Sequence, residues 1–412
     1  MSKSLKIDRQ RLISKIEELG KIGALEGGGV CRLALTDEDK AGRDWVIARM
    51  KSLGLTVRID QIGNVTGTRA GKSDEAPVMM GSHIDTVRTG GYYDGNLGVL
   101  AGLEVIACLN DAGIVTQRPV AVAFFTNEEG SRFAPDMMGS MVHQGHLDLE
   151  TTLNVVGIDG SLVREELERI AYRGEDPCGG MRAHAFLELH VEQGPILEKE
   201  GIEIGAVEGV QGISWTEVRI SGVSNHAGTT PMSMRHDAGY CAAKIAVFAR
   251  ELALRMGGNQ VATVGAIDLK PNLINVIPNH AVMTVDLRNT DEALLQEAEA
   301  ELHHFLQKLT ADEQVSIEST TLARFEPVVF DPEMVALVEA EAKAQGLTVK
   351  RLPSGAGHDA QAFAPNCPTG MIFVQSAGGI SHNVKEYTKP EDIEAGANVL
   401  LQVLLKKADS ED

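Results

Sequence analysis

The chain has 412 residues, more than one hydrophobic core usually serves, so more than one domain is expected. It is 43% hydrophobic and 23% charged, as ordinary soluble globular proteins are, with a formal net charge of −20 and a pI of about 5.1. That balance repels phosphate backbones and anionic lipid headgroups, which excludes nucleic acid and membrane as partners, and an anionic substrate would need a local cationic pocket.

In chain order, an amphipathic helix opens at residues 8–19, with Leu12, Ile13, Ile16 and Leu19 on one face behind Asp8 as N-cap. A glycine-rich loop at 26–30 precedes a second helix over 37–53, closed by Gly54, and a strand pair at 55–59 and 63–67. Residues 78–80 form a short apolar run of buried-strand character. It leads into Gly81-Ser82-His83-Ile84-Asp85, a glycine-rich loop with Asp94-Gly95-Asn96, and a helix over 97–109. Strand, polar loop, helix is the βα unit of an open α/β sheet, which holds ligands beyond the carboxyl ends of its strands. His83 and Asp94 are thereby placed together on one loop as candidate metal ligands. Asp85, two residues past His83, is expected to accept the proton of its other ring nitrogen through the carboxylate.

A continuous apolar run at 120–125 reads as a buried parallel strand and ends in Thr126-Asn127-Glu128-Glu129-Gly130-Ser131-Arg132-Phe133. Residues 146–184 are polar and read as mostly helical. Another apolar stretch, 185–189, ends in His190-Val191-Glu192-Gln193-Gly194-Pro195. From about Gly212 the pattern changes to strand 215–220, helix 238–256, strands 261–269 and 280–287, helix 291–309 and strand 315–322. The order β-α-β-β-α-β is the split-βαβ, ferredoxin-like arrangement of two helices on a four-stranded antiparallel sheet. It is read as an inserted α+β domain over 212–327, dividing an α/β domain that comprises 1–211 and 328–412. The first fold resumes with helix 332–346, strand 348–352, the loop around Gly357-His358-Asp359, strand 370–374, the loop Ser381-His382-Asn383 and a closing helix over 390–406.

The five cysteines are scattered, odd in number and form no CxxC, as expected of reduced thiols in a cytoplasmic protein. No export signal precedes the first helix, and no apolar run approaches the ~18 residues of a membrane span.

Four loops of the first domain, each after an expected strand, carry His83/Asp94, Glu128/Glu129, His190 and His382. They suffice for two divalent ions, one on His83, His190 and a shared Asp94, the other on Asp94, one of the adjacent glutamates and His382. Three protein ligands per ion leave an open position for water, as catalytic sites require, and a shared aspartate suits co-catalytic ions ~3.5–4 Å apart. The remaining glutamate is free to act as general base. In the inserted domain, His226 lies in a tight loop of small residues, where it could polarise a carbonyl. Arg288 offers a planar fork for a carboxylate, and Asn275 lies at a strand end. His143, His146, His184, His236, His280, His303 and His304 are read as surface or structural, Glu192 as a solvated or supporting carboxylate, and Trp215 as core.

The segments GSHIDTV, YDG, NEEGSRF, LELHVEQGP and SHN together resemble the dinuclear zinc amidohydrolases of the hydantoinase/carbamoylase family, which includes N-carbamoyl-L-amino acid hydrolases, β-ureidopropionases and allantoate amidohydrolases. The resemblance covers nearly the whole chain. It implies a metallopeptidase-like catalytic domain with an open mixed, largely parallel sheet, and an inserted domain that serves as lid and dimerisation domain of a homodimer. It implies His83, Asp94, Glu129, His190 and His382 as metal ligands, Glu128 as base, Asp85 as the residue that steadies His83, and Gln193 as a substrate contact. It also implies that His226, Asn275 and Arg288 act at the substrate's acid end, partly from the neighbouring subunit, with His358 a further contact. The cofactors implied are two divalent ions, zinc first, with manganese, cobalt or nickel also suited to such ligands. The activity implied is hydrolysis of the ureido C–N bond of an N-carbamoyl-L-amino acid to amino acid, CO2 and ammonia. Allantoate and β-ureidopropionate are the alternative substrates, and a dipeptidase or aminopeptidase is a more distant reading. A silent ligand-binding protein is the reading from another class; it has no use for a free carboxylate such as Glu128 beside the ligands.

Overall fold

The computed structural model describes residues 5–180 and 182–410. The chain divides into two compact units. The first comprises the chain up to Glu208 and again from Val329, and the second is Gly209–Val328.

The strands are β1 (Thr56–Ile59), β2 (Val65–Arg69), β3 (Val78–His83), β4 (Val120–Phe125), β5 (Ala185–Val191), β6 (Ile204–Val210), β7 (Gly212–Ser221), β8 (Val261–Lys270), β9 (His280–Asn289), β10 (Ser316–Phe325), β11 (Val328–Val329), β12 (Val349–Ser354) and β13 (Thr369–Val374). A nine-stranded sheet runs β1-β2-β4-β3-β5-β13-β6-β11, with β12 beside β6. Its centre, β4-β3-β5-β13, is parallel, and β2 against β4 and β6 against β13 are antiparallel. The four central strands are buried at every residue, which is why their sequences are mainly apolar, with Glu188 of β5 the charged residue among them outside the candidate ligands. Helices cover them, among them Asp94–Asp111 and Pro390–Ala408.

Two fully buried arginines tie this unit together. Arg43, in the helix Asp37–Ser52, donates to Asp39 Oδ2 at 2.7 Å, the Gly63 carbonyl at 2.7 Å and Thr126 Oγ1 at 3.2 Å. Arg32 donates to the carbonyls of Leu19, Ile22 and Ile84 and to Asn96 Oδ1, joining the first helix, the segment after β3 and the helix of Asp94. A buried guanidinium is tolerated because nearly every donor is matched.

The second unit has the sheet order β10-β7-β9-β8, antiparallel throughout, with helices Ala238–Met256 and Glu292–Glu313. This is the βαββαβ arrangement. Strand β9 alternates strictly between buried and half-buried residues, and Ala281, Met283, Val285 and Leu287 meet Val218 and Ile220 of β7 in the core.

Several sequence expectations are corrected. The described residues of 146–184 are mostly irregular, with the short helices Leu149–Leu153 and Val163–Arg169 among them. Strand β6 is not evident in the sequence, because its Gly205, Glu208 and Gly209 interrupt the apolar pattern. Trp215 is 40% exposed, since it has the opposite parity to Val218 and Ile220 and so faces away from the helices. Of the two readings of Glu192 the supporting one holds: it is buried, and its carboxylate accepts the Ile196 and Leu197 amides at the start of the helix Ile196–Glu200.

The Arg43–Asp39 pair gives a stability test. Arg43→Ala leaves Asp39 buried without its cation, at a cost of about 3–5 kcal/mol. The expected result is a lower urea midpoint for the first unit, with the Asp39→Ala/Arg43→Ala double variant losing less than the sum of the singles. Additive losses would show that the pair is not coupled.

Candidate metal centre

The candidate ligands stand at the carboxyl ends of the central strands. From β3 the chain crosses to β4 on one side and then to β5 on the other, so the strand order reverses at β3. A crevice is expected at such a switch point. His83 is the last residue of β3, and His190 in β5 lies opposite Phe373 of β13. Glu128 and Glu129 follow β4, and His382 follows β13. Asp94 is the first residue of its helix, not part of the loop with His83 as expected. The helix starts three residues before its apolar run, and an acidic residue is favourable in its first turn. Gly95 is needed beside it, because a Cβ there would lie 2.3 Å from His83 Nε2. Asn127, Gln193 and His382 all take left-handed backbone conformations (φ 57°, 58° and 52°), a conformation that non-glycine residues hold where the surroundings impose it.

Three imidazoles converge on Asp94. Its Oδ1 lies 3.7 Å from His83 Nε2 and 3.2 Å from His190 Nε2, and its Oδ2 lies 3.5 Å from His382 Nε2. His382 Nε2 is also 3.3 Å from Glu129 Oε2. The ligand atoms thus form two triads that share Asp94: His83, Asp94 and His190, all buried, and Asp94, Glu129 and the more exposed His382. Glu128 belongs to neither, and its Oε2 stands 3.3 Å from His83 Nε2.

The surroundings orient these groups. His83 Nδ1 faces the Asp85 carbonyl at 3.0 Å and His190 Nδ1 the Val191 carbonyl at 2.8 Å, so each ring carries its proton on Nδ1 and turns Nε2 inward. The Asp85 carboxylate does something other than expected. It accepts the amides of Glu128 at 3.2 Å and Glu129 at 3.3 Å, and its nearer oxygen is 3.8 Å from His83 Nδ1. Asp85 therefore steadies His83 with its carbonyl and the glutamate pair with its carboxylate. The Val87 amide donates to Glu129 Oε1 at 3.2 Å. Gln193 Nε2 donates to Asp94 Oδ1 at 3.4 Å, while its buried Oε1 has no hydrogen-bond partner.

Negative charge is crowded here. Burial, then the charges of Asp359, Glu129 and other carboxylates, push Glu128 well above the usual carboxylate range; burial and Asp94 do the same to Glu129. Burial and Asp39 lift Asp85 to about 7. Burial holds His83 down at about 4, a neutral ring. At His190 burial opposes the imidazolium, but the hydrogen bond and charge of Asp94 outweigh it and raise the ring to about 9. A concentration of buried carboxylates with inward Nε2 atoms suits divalent cations, which would relieve the repulsion. The donor set therefore fits a divalent metal.

Some supporting residues do not stand out in the sequence. Glu188, fully buried in β5, accepts Ser82 Oγ at 2.6 Å and the Ala360 amide at 2.8 Å, linking the strand of His83 to the segment after His358. A charged residue two before His190 in an apolar run is the signal that could have found it. His358 is 1% exposed, with its ring edge-on to His190 at 4.5 Å and its Nε2 2.8 Å from Ser354 Oγ. It touches a candidate ligand here.

The second unit brings His226 and Asn275 together but not Arg288. His226 pairs with Val276 in an isolated bridge, and the Ala227 amide donates to the Asn275 carbonyl at 2.9 Å. His226 Nδ1 accepts the amides of Gly228 at 3.0 Å and Thr229 at 3.3 Å, which leaves the proton on an exposed Nε2. Arg235 braces this loop through the Thr230 and Ala227 carbonyls. Arg288 lies near the far end of β9, eight residues from His280 at the His226 end, which is roughly 27 Å along a strand. Its guanidinium is held by Asp286, with Nε at 3.1 Å from both carboxylate oxygens and one terminal nitrogen at 2.9 Å from Oδ2.

Residues 79–406 match the profile of peptidase family M20/M25/M40. The chain is 39% identical to an N-carbamoyl-L-amino-acid amidohydrolase of Rhizobium meliloti, covering 98% of this chain and 97% of that one. It is 35% identical to the allantoate amidohydrolase of Escherichia coli K12, covering 97% and 98%. A crystal structure of a hydantoinase/carbamoylase family amidase from Burkholderia multivorans superposes with a TM-score of 0.97 at 46% identity, covering 99% of each chain.

Metal uptake has an expected pH signature. A ligating imidazole must be neutral, and His190 in the metal-free protein keeps its proton up to about pH 9, whereas His83 is neutral above about pH 4. Uptake near neutral pH therefore releases a proton from His190, and affinity rises as pH approaches about 9. Calorimetric titrations of metal-free protein in buffers of different ionisation enthalpy measure this release. Affinity independent of pH with no proton released would contradict the described charge distribution.

Proposed function

The chain belongs to peptidase family M20/M25/M40 and, within it, to the hydantoinase/carbamoylase amidases, and from that premise we propose that it hydrolyses the ureido C–N bond of N-carbamoyl-L-amino acids. The observation that carries the step from metal binding to hydrolysis is Glu128, a buried carboxylate beside both ligand triads and a member of neither. In this reading His83, His190 and Asp94 hold one divalent ion, and Asp94, Glu129 and His382 hold the other. Bound there, the ions supply Lewis acidity and acidify water; zinc is the first candidate, with manganese, cobalt and nickel as alternatives.

Glu128 takes a proton from the attacking water as its oxygen bonds to the carbamoyl carbon. The bond from that carbon to the amino acid nitrogen then breaks, and Glu128 passes the proton to the departing nitrogen. Amino acid and carbamic acid result, and the latter falls to CO2 and ammonia. Burial, with the neighbouring carboxylates, raises the pKa of Glu128, which makes it a stronger base than an ordinary carboxylate and so suits it to take up and hand on the proton. Asp85 fixes the Glu128 and Glu129 amides and, through its carbonyl, His83. Gln193 offers its unpartnered Oε1 to the ureido N–H groups. His226 directs its Nε2–H at the developing oxyanion, Asn275 and Arg288 bind the carboxylate, and His358 supports His190 from behind. The unpaired cysteines accord with a cytoplasmic setting.

Ammonia release measured on N-carbamoyl-L-methionine, N-carbamoyl-β-alanine and allantoate, beside amino acid release from dipeptides, tests the substrate. The carbamoyl-L-amino acid should turn over fastest, and Glu128→Gln should lose about 10²–10⁴-fold while retaining metal. Glu129→Gln should weaken one metal instead. Preferred turnover of allantoate or of dipeptides would overturn the substrate assignment, and metal loss confined to Glu128→Gln would reverse the roles of the pair.

A homodimer with the second unit as lid and dimerisation domain completes the proposal. A carbamoyl amino acid is about two residues long, roughly 7 Å. His226 and Arg288, separated along most of β9, cannot both reach it from one chain. The exposed edge strands β8 and β10 are suited to pairing with a second copy. Mixing inactive Glu128→Gln and His226→Ala chains tests the arrangement. If His226 serves the neighbour, about half of the exchanged dimers are mixed and each contains one intact site, so activity returns to about a quarter of wild type. No return after verified exchange would place His226 in its own chain's site.

A further inference from the structure

Glu386 lies four residues after His382, buried, and plays no part in the mechanism above. Its Oε2 accepts the amides of Tyr93 at 3.1 Å and Asp94 at 3.3 Å, and its Oε1 accepts the Ser381 hydroxyl at 3.1 Å. The helix Asp94–Asp111 has no cap from its own N-cap side chain at Tyr93, so a carboxylate from nearly 300 residues away fills that role. The same carboxylate grips the residue next to His382. Room for it comes from Gly91, where a Cβ would lie 2.2 Å from Glu386 Oε2 and 2.4 Å from Glu386 Cβ. The turn from Asn383 to Glu386 is itself closed by the Glu386 amide on the Asn383 carbonyl at 2.9 Å.

Resting on the two-ion reading above, we propose that Glu386 is the positioning residue of the more exposed ion, setting the separation of Asp94 and His382. Those two ligands come from elements far apart in sequence, and His382 has the weakest independent hold. Its side chain is 50% exposed and its backbone is left-handed, whereas His83 and His190 are buried within strands. One carboxylate that binds the backbone of Asp94 and the neighbour of His382 fixes both ends of the half-site. The buried half-site needs no such clamp, since His83 and His190 sit on paired strands.

The test is a titration of metal-free wild type, Glu386→Ala and Glu386→Gln with Zn²⁺ by calorimetry, and with Co²⁺ by visible absorption. Wild type should take up two equivalents. In Glu386→Ala the first equivalent should bind as in wild type, and the second about 10–100-fold more weakly with an altered Co²⁺ spectrum. Glu386→Gln should recover much of the loss, because its amide oxygen can accept the two backbone N–H groups and its NH2 can donate to Ser381 Oγ. Two equivalents bound by Glu386→Ala with unchanged affinity overturn the proposal, as does equal weakening of both, which would mark a general structural role. Uptake of a single equivalent by wild type would instead refute the two-ion reading, and the proposal with it.

Discussion

The concentration of buried negative charge at the carboxyl end of the central strands is the constraint on which the first unit depends. Asp85, Asp94, Glu128, Glu188 and Asp359 are all buried there, with Glu386 behind them. Carboxylates crowded out of water repel one another, and each either takes up a proton or needs a cation. Where a carboxylate has a structural role, the fold supplies hydrogen bonds. Asp85 and Glu386 receive backbone amides, and Glu188 receives an amide and a hydroxyl. Where a carboxylate faces the cavity, the fold supplies imidazoles. Asp94, with three rings around it, lies below the usual carboxylate range despite its burial, while Glu128 and Glu129 lie above it. Asp94, surrounded by imidazoles, is thereby kept ionised and the two glutamates are the more basic groups, but what distinguishes the pair is geometry: Glu129 belongs to a triad with His382 and Glu128 to none.

The buried arginines belong to the same constraint from the other side. Arg32 donates to the carbonyl of Ile84, between His83 and Asp85, and to Asn96, two residues past Asp94. Arg43 reaches Thr126, two residues before Glu128. Each contacts the backbone or side chain of a segment that carries a site residue, not the site residue itself. The positive charge thereby remains one layer behind the ligands, where it steadies the framework without occupying a cation's place.

How much of this was legible in the sequence depends on which level of structure set the feature. The strands β3, β4 and β13 and the helix Ala238–Met256 were readable because burial on both faces writes an unbroken apolar run and burial on one face writes a period. The loops after those strands stood out because His, Asp and Glu interrupt the pattern where a parallel sheet exposes its ends. What was not legible was set by tertiary partners. The Asp85 carboxylate turns to the Glu128 and Glu129 amides because β4 lies beside β3, and no local signal tells a carbonyl acceptor from a carboxylate one. Glu192 stayed open between a solvated and a supporting carboxylate because the short helix it caps has no periodicity of its own. Glu386 and Arg32 act over long sequence separations, with partners that only the assembled sheet brings near.

The second unit follows a different rule, and its separation of groups has a mechanistic meaning. Among the metal-ligand candidates, His83 and His190 lie in buried strands and Asp94 opens a helix, while Glu129 and His382 stand on the loops beyond β4 and β13. His226 is instead an exposed side chain on a loop, yet the loop is internally firm: two amides fix its tautomer, Arg235 ties its carbonyls, and the Asn275 segment runs alongside. Those contacts hold the local geometry of His226 from within its own unit. An oxyanion donor has to be in place only while the tetrahedral carbon exists, whereas metal ligands must be in place throughout. Under the proposed roles, the lasting ligands belong to the first unit and the transient donor to the second.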